Sequence, residues 1–305
     1  MNDECAAARD ILLLSLIPGV GPARLRALID HVGDARSIAH IPPKDLIRIP
    51  GIDQKTALAI SGFFRQGVSA DAQSFVDDQL GRMQRREVHF VSLWHDDYPP
   101  LLRKIYDPPP FLFLRGTLVP QDAAAVAIVG TRTPSPYGVR VAERFGAAMA
   151  ARGITVVSGL ARGIDTAAHA AALRAGGRTI AVIGSGLDVL YPPENRALAG
   201  RIETQGAVLS EFPMGTKPDA VNFPQRNRTV SGMSLGTLVV ETGTEGGAMI
   251  TARTALDQNR EVFAIPAPVD GSTRRDMGSG RGGDDEQAGR RGGKQRPRRP
   301  CGHWV

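Results

Sequence analysis

Cysteine is nearly absent: Cys5 and Cys301 stand at opposite ends of 305 residues, with no Cys-x-x-Cys and no histidine at metal-ligand spacing. That pattern excludes a disulfide-stapled scaffold and a structural zinc site, and points to a reducing cytoplasm. Long apolar runs are missing too. The run ILLLSLI at 11–17 is far shorter than the ~20 residues a bilayer span needs. The opening MNDECAAARD is acidic where a signal peptide would be basic. A cytoplasmic protein without membrane insertion is the expectation. Aromatics make up only 5% of the chain, so base stacking cannot be the main source of any nucleic-acid affinity.

Charge of one sign is also scarce, once the ends are separated. The formal net charge is +6, but nine Lys/Arg against four Asp/Glu between Gly271 and Val305 place +5 in that tail and leave +1 for residues 1–270. Any polyanion site in the folded part must come from local clustering. The tail holds nine glycines and almost nothing apolar, so 271–305 is expected to be disordered.

The rest of the chain divides into three zones. Residues 1–66 read as helices broken at Gly and Pro, with two similar turns, IPGVGPARLRALI at 17–29 and IPGIDQKTALAI at 49–60. Each is an apolar residue, Pro-Gly, then a helix with apolar residues three and four apart, like a helix-hairpin-helix. Gly19 and Gly21 of the first turn would aim amides at a DNA phosphate. The plain alternative is a compact joint between packed helices, and Asp53 in the second turn would repel phosphate. Residues 67–122 read as a Pro-punctuated connector with a few strands.

From 123 to 270 the apolar runs AVAIVG, ITVVSG, TIAVIG, AVLSE, TLVVET and EVFAIP alternate with helix-length segments. Buried strands alternating with amphipathic helices predict an α/β fold, a Rossmann-like doubly wound, mostly parallel sheet. Ligands of such sheets sit beyond the C-terminal strand ends. Here those ends are glycine-rich: GTR at 130–132, SGLARGID at 158–165, GSGLD at 184–188 and ETGTEGGAMITA at 241–252. Turns of this kind present free amides to phosphate, making Gly159, Arg162 and Gly163 candidate contacts.

A dinucleotide cofactor fits poorly. IVGTRTPSPYG is not Gly-x-Gly-x-x-Gly, and the second strand ends in Ser158 rather than an acid. No cofactor and no metal are expected. Ser158, Asp165 and His169 could be drawn as a hydrolase triad, but there is no Gly-x-Ser-x-Gly elbow. Asp165 reads equally as a helix N-terminal residue and His169 as a packed helix residue. Glu241 with Thr244 and Glu245 loosely resembles the Gly-Gly-x-Gly-Thr-x-x-Glu turn of phosphoribohydrolases, without its Pro-Gly-Gly opening. A Rossmann-like nucleotide-binding enzyme is therefore the alternative.

Four segments together, SGLARGIDTAAHAAAL, GSGLDVLYPPENRAL, SEFPMGTKPDAVNFPQRNRTVSGMS and GGAMITARTALDQNREVFAIP, resemble the DNA-processing protein A (DprA, or Smf) family over roughly 125–268. The resemblance implies a bacterial, non-enzymatic homodimer. Such a protein binds single-stranded DNA in a basic pocket at the strand ends and helps load RecA recombinase during natural transformation. It places the pocket at Arg132, at Gly184, Ser185 and Gly186, and at Phe223, Arg226, Asn227 and Arg228. After PAPVD the chain departs from the family pattern. An out-of-frame reading of a GC-rich gene gives such a tail, a hypothesis that sequencing across codon 273 tests.

In physical terms, Arg226 and Arg228 offer forked donors for phosphate, Asn227 a donor and an acceptor, and Phe223 one face for a base. Arg132 would close the pocket from the other side. The competing reading is that one of these arginines pairs with Glu211 or Glu241 to pin the segment.

Overall fold

The chain opens in helices: α1 (Asp3–Ser15), α2 (Pro22–Val32), the short α3 (Pro43–Leu46), α4 (Gln54–Arg65) and α5 (Ala70–Arg85). The structure is a computed structural model that describes residues 3–244 and 246–266. Gly19 turns the chain into α2 with φ = 87°, a conformation that disfavours any side chain. Asp53 caps α4 by accepting from the Thr56 amide at 2.7 Å. Arg24 joins the two turns, donating to the carbonyls of Gly19 and Gly51 at 2.9 Å each and to Asp53 at 2.7 Å. The tandem is thus one stapled unit.

α5 differs from the extended connector expected there. Ser69 caps it by accepting from the Ala72 amide at 3.2 Å, and Ala72, Val76, Gln79 and Met83 form its buried stripe. Acids and bases dilute that stripe, and one of its buried positions is polar, so the periodicity is faint in sequence.

The following elements build an eight-stranded sheet: β1 (His89–Ser92), α6 (Pro100–Arg103), β2 (Phe111–Gly116), β3 (Ala125–Val129), α7 (Pro136–Ala150), β4 (Thr155–Ser158), α8 (Ile164–Arg174), β5 (Thr179–Val182), α9 (Arg196–Gln205), β6 (Ala207–Ser210), α10 (Asn222–Gly232), β7 (Gly236–Val239), α11 (Gly247–Asp257) and β8 (Glu261–Ala264). Strand order is β1-β2-β6-β5-β4-β3-β7-β8. β3 to β8 run parallel, while β2 pairs antiparallel with both β1 and β6. All six apolar runs read from the sequence are strands of this parallel block.

The sheet is covered on both faces, as alternation along β3 shows. Ile128 packs with Ala142 of α7 and Ile164 and Ala168 of α8. Ala127 and Val129 pack with Val230 of α10 and Ala248 and Ala252 of α11. A third cluster joins α1–α5 to the sheet through Ile183, Ala199, Ile202, Val208 and Met214. Contacts gather the described residues up to Pro266 into one compact unit. The expected disordered tail, 271–305, lies outside the described residues.

The order matters for function. From β3 the chain winds outward through β4, β5 and β6, then returns to β7 on the other side of β3. Loops leaving β3 and β7 therefore diverge, opening a crevice at their C-terminal ends.

Candidate nucleic-acid interface

A cavity of about 510 Å³ occupies that crevice. Its walls are Gly130, Thr131 and Arg132 after β3, Gly159 after β4, Phe223, Arg226 and Asn227 of α10, and Gly243, Gly246 and Gly247 at the start of α11. Among the described residues no side chain caps α11, and its N-terminal end borders the cavity, a favourable place for an anion.

The run NFPQRNRTVSG reads in sequence as a cluster before a turn; it folds as α10, with Pro224 tolerated in the first turn. Helical spacing places 223, 226, 227 and 230 on the cavity side. It turns Arg228 about 200° away from Arg226. The two arginines consequently meet different surroundings. Arg226 is 6% exposed, donates from Nη1 to the Val182 carbonyl at 2.9 Å, and its Nε has no protein partner. Arg228 is not part of this cavity's wall; it pairs with Glu211 at 2.5 Å and with the Asp107 carboxylate at 3.5 Å, and donates to the Asp107 carbonyl. Burial pushes the Glu211 carboxyl above its usual range, with Arg228 opposing.

Arg132 is exposed at the cavity mouth, its guanidinium carbon 5.1 Å from the Phe223 ring centre, and that of Arg226 is 5.9 Å from the same ring. Both lie within cation–π reach. Gly184 supports the ring: a Cβ there would be 3.2 Å from Phe223 Cδ1. Gly184, Ser185 and Arg162 line a small adjoining recess with Tyr191. Arg162 pairs with Glu194. Gly163 begins α8 at φ = 77°, packed on the Thr131 carbonyl. Gly186 lines neither space; its amide donates to the Thr216 carbonyl at 2.9 Å. Gly19 and Gly21 lie in the helical part and border neither space.

The residues of the imagined triad are all buried, and His169 Nε2 has no partner among the described residues. Ser158 Oγ donates to the Ile128 carbonyl at 2.6 Å. Asp165 accepts from the amides of Gly159 and Ala161 at 3.1 and 3.3 Å. Burial raises its pKa, and the Arg226 charge opposes that rise. His169 Nδ1 lies 2.6 Å from Thr179 Oγ1, and burial, then Arg226, hold its pKa down to about 3. Glu241 accepts from the Ser135 amide at 3.1 Å and hydroxyl at 2.9 Å, anchoring the start of α7. Glu245 lies outside the described residues.

Among the described residues no group of three or more His, Cys, Asp or Glu side chains is placed to hold a metal ion. None of their helices is long and apolar enough to cross a membrane. Sequence reasoning did not single out Thr242, Gly243, Gly246 and Gly247, which complete the cavity. The signal was present in the glycine-rich turn before α11.

The family model for DNA recombination-mediator protein A matches residues 89–280. The chain belongs to this family. A second model, the SAM-like helix-hairpin-helix tandem, matches residues 11–61. Among relatives of this recombination-mediator family, Protein Smf of Synechocystis sp. is 39% identical over 263 residues, 85% of this chain and 64% of that protein. The chain spans 64%, 52% and 64% of the length of three curated relatives it matches. The X-ray structure of DNA processing protein A from Streptococcus pneumoniae superposes with a TM-score of 0.71 at 33% identity, covering 86% of this chain and 88% of that one. A DNA processing protein A structure from Helicobacter pylori, concerned with its single-stranded DNA binding mode, gives 0.54 at 29% identity, covering 59% and 82%.

Two outcomes follow from this geometry. A Cβ at Gly159 would lie 1.7 Å from Arg226 Nη1, so Gly159→Ala must displace the guanidinium or the turn. Denaturant titration should show a destabilisation of about 1–3 kcal/mol. Gly200→Ala, in the interior of α9 with open space around it, is the clash-free control and should gain about 0.5–1 kcal/mol from helix propensity. His169 is held neutral, with a folded pKa of about 3 against 6.5. Its unfolded form takes up the proton first, so stability is intact above pH 6.5 and declines as pH falls toward 3. Relative to His169→Gln, the native protein should lose about 1.4 kcal/mol per pH unit, or about 2 kcal/mol by pH 5. Parallel stability–pH curves for the two proteins would contradict this.

Proposed function

We propose that this chain binds single-stranded DNA in the switch-point cavity by charge and breaks no bond in it. Arg132 carries the reading: an exposed guanidinium over Phe223, with no carboxylate partner among the described residues, at the mouth of a glycine-walled cavity. Arg132 and the amides at the start of α11 take phosphate oxygens. Buried Arg226 supplies fixed positive charge, Phe223 stacks one base and Asn227 offers polar contacts to a base or sugar. Gly159, Arg162, Gly184 and Ser185 border the path of the next nucleotide, and Gly163 supports the loop after β3 from behind. Arg228 and Gly186 hold these parts in place. The first hairpin turn, at Gly19 and Gly21, is a secondary phosphate contact in this proposal, with neighbouring Arg24 occupied in joining the two turns.

Family membership supports extending the reading to the whole protein. In that reading it is a cytoplasmic homodimer that protects incoming single strands and loads RecA recombinase onto them in transformation and recombination. The phosphoribohydrolase alternative needs a free Glu241, and that carboxylate is tied to Ser135.

Arg132→Ala should weaken oligonucleotide binding equally across sequences and reduce the log–log salt slope by about 0.7 for each phosphate no longer neutralised. Anisotropy titrations across a salt series measure both. An unchanged affinity and slope would remove the proposal, as would base release from nucleoside monophosphates incubated with the native chain.

A further inference from the structure

α5 belongs to the helical N-terminal part, yet it grips the segment that leads into α10. Gln79 is 1% exposed and makes a two-way bond with Met214: its Nε2 donates to the Met214 carbonyl at 3.1 Å, and its Oε1 accepts from the Met214 amide at 2.8 Å. One turn further on, Arg82 donates to Asp188 at 3.0 Å, and Asp188 accepts from the Gly215 amide at 2.7 Å. Met214 itself is buried in the core shared with α1–α5.

From there the hold passes stepwise to the cavity. The Gly186 amide donates to the Thr216 carbonyl at 2.9 Å, and Gly186 admits no side chain, since a Cβ would be 2.7 Å from the Pro213 carbonyl. Asn222, the first residue of α10, donates from Nδ2 to the Gly184 carbonyl at 3.1 Å. Phe223 then rests on Gly184. Every link in this chain is a hydrogen bond or a close contact.

We propose that Gln79 and Arg82 are positioning residues for the nucleic-acid cavity: the helical part acts as a brace that sets where α10 presents Phe223 and Arg226. This rests on the reading of the cavity as a single-strand site, but the brace itself is measurable without DNA. A backbone segment fixed in advance loses less freedom on binding, so a released segment binds more weakly through the same groups.

The test uses the full chain. Gln79→Met keeps volume and removes both hydrogen bonds. Hydrogen exchange at residues 213–222 should speed up, and affinity for an oligo-dT strand should drop about tenfold, the worth of one or two hydrogen bonds, while the salt slope stays unchanged because the same phosphates are neutralised. Gln79→Glu supplies the discriminating readout. Its carboxylate cannot donate to the Met214 carbonyl, whereas its protonated form restores both bonds, so affinity relative to the native chain should recover as pH is lowered. Arg82→Ala, at a partly exposed side chain, repeats the test without touching the core. Unchanged exchange at 213–222 in Gln79→Met and Arg82→Ala would overturn the brace. Faster exchange with no DNA binding by the native chain would leave the brace standing and sink the single-strand reading instead.

Discussion

Burying a guanidinium costs several kcal/mol unless hydrogen bonds and an opposite charge offset it. The site is arranged around one such burial. Arg226 is enclosed by α10 and the β4 turn, donates to the Val182 carbonyl and feels the Asp165 charge. Burial lowers its pKa and raises that of Asp165, so each makes the other's desolvation tolerable. Gly159 makes the arrangement sterically possible, because the guanidinium passes through the space where any other residue would carry Cβ. What remains is a cation fixed in direction, with an unpartnered Nε, in the wall of a cavity. A charge held in this way needs little reorganisation when an anion arrives.

Helical periodicity then divides work between neighbours in sequence. Arg226 and Arg228 flank a single asparagine, and in an extended segment they would point to the same side. On α10 one faces the cavity and the other faces Glu211 and Asp107. The ion pair with Glu211 ties α10 to the end of β6, and the contact with Asp107 ties it to the loop before β2. So Arg228, which in sequence looks like a twin of Arg226, holds the helix that carries it.

The parallel block was legible because buried strands are short apolar runs and their crossover helices keep a clear period. The glycine-rich strand ends were visible as well, and at Gly159, Gly163 and Gly186 close packing leaves no room for a Cβ. Two things were hidden. α5 was masked by acids and bases on its surface and by Gln79 in its stripe, a polar residue buried only because Met214 satisfies it. The division between Arg226 and Arg228 was hidden because it depends on α10 being a helix, and the run NFPQRNR, opened by Asn-Phe-Pro and rich in polar residues, gives little sign of one. Both concern polar side chains whose partners lie far away in sequence.

Near-neutrality of the folded part limits how the site can work. Residues 1–270 carry a net charge of only +1, with Asp71, Asp77 and Asp78 on α5 beside the brace. At physiological salt, charges are screened beyond about 8 Å. Long-range steering is therefore weak, and in the proposed binding mode a strand is held by groups it touches: Arg132, Arg226, the glycine amides and one phenyl face. Such groups address phosphate and any base alike, which gives affinity with little sequence preference. Of the groups first drawn as catalytic, Ser158 and Glu241 are held in structural hydrogen bonds, while His169 is tied through Nδ1 and leaves its buried Nε2 without a partner among the described residues.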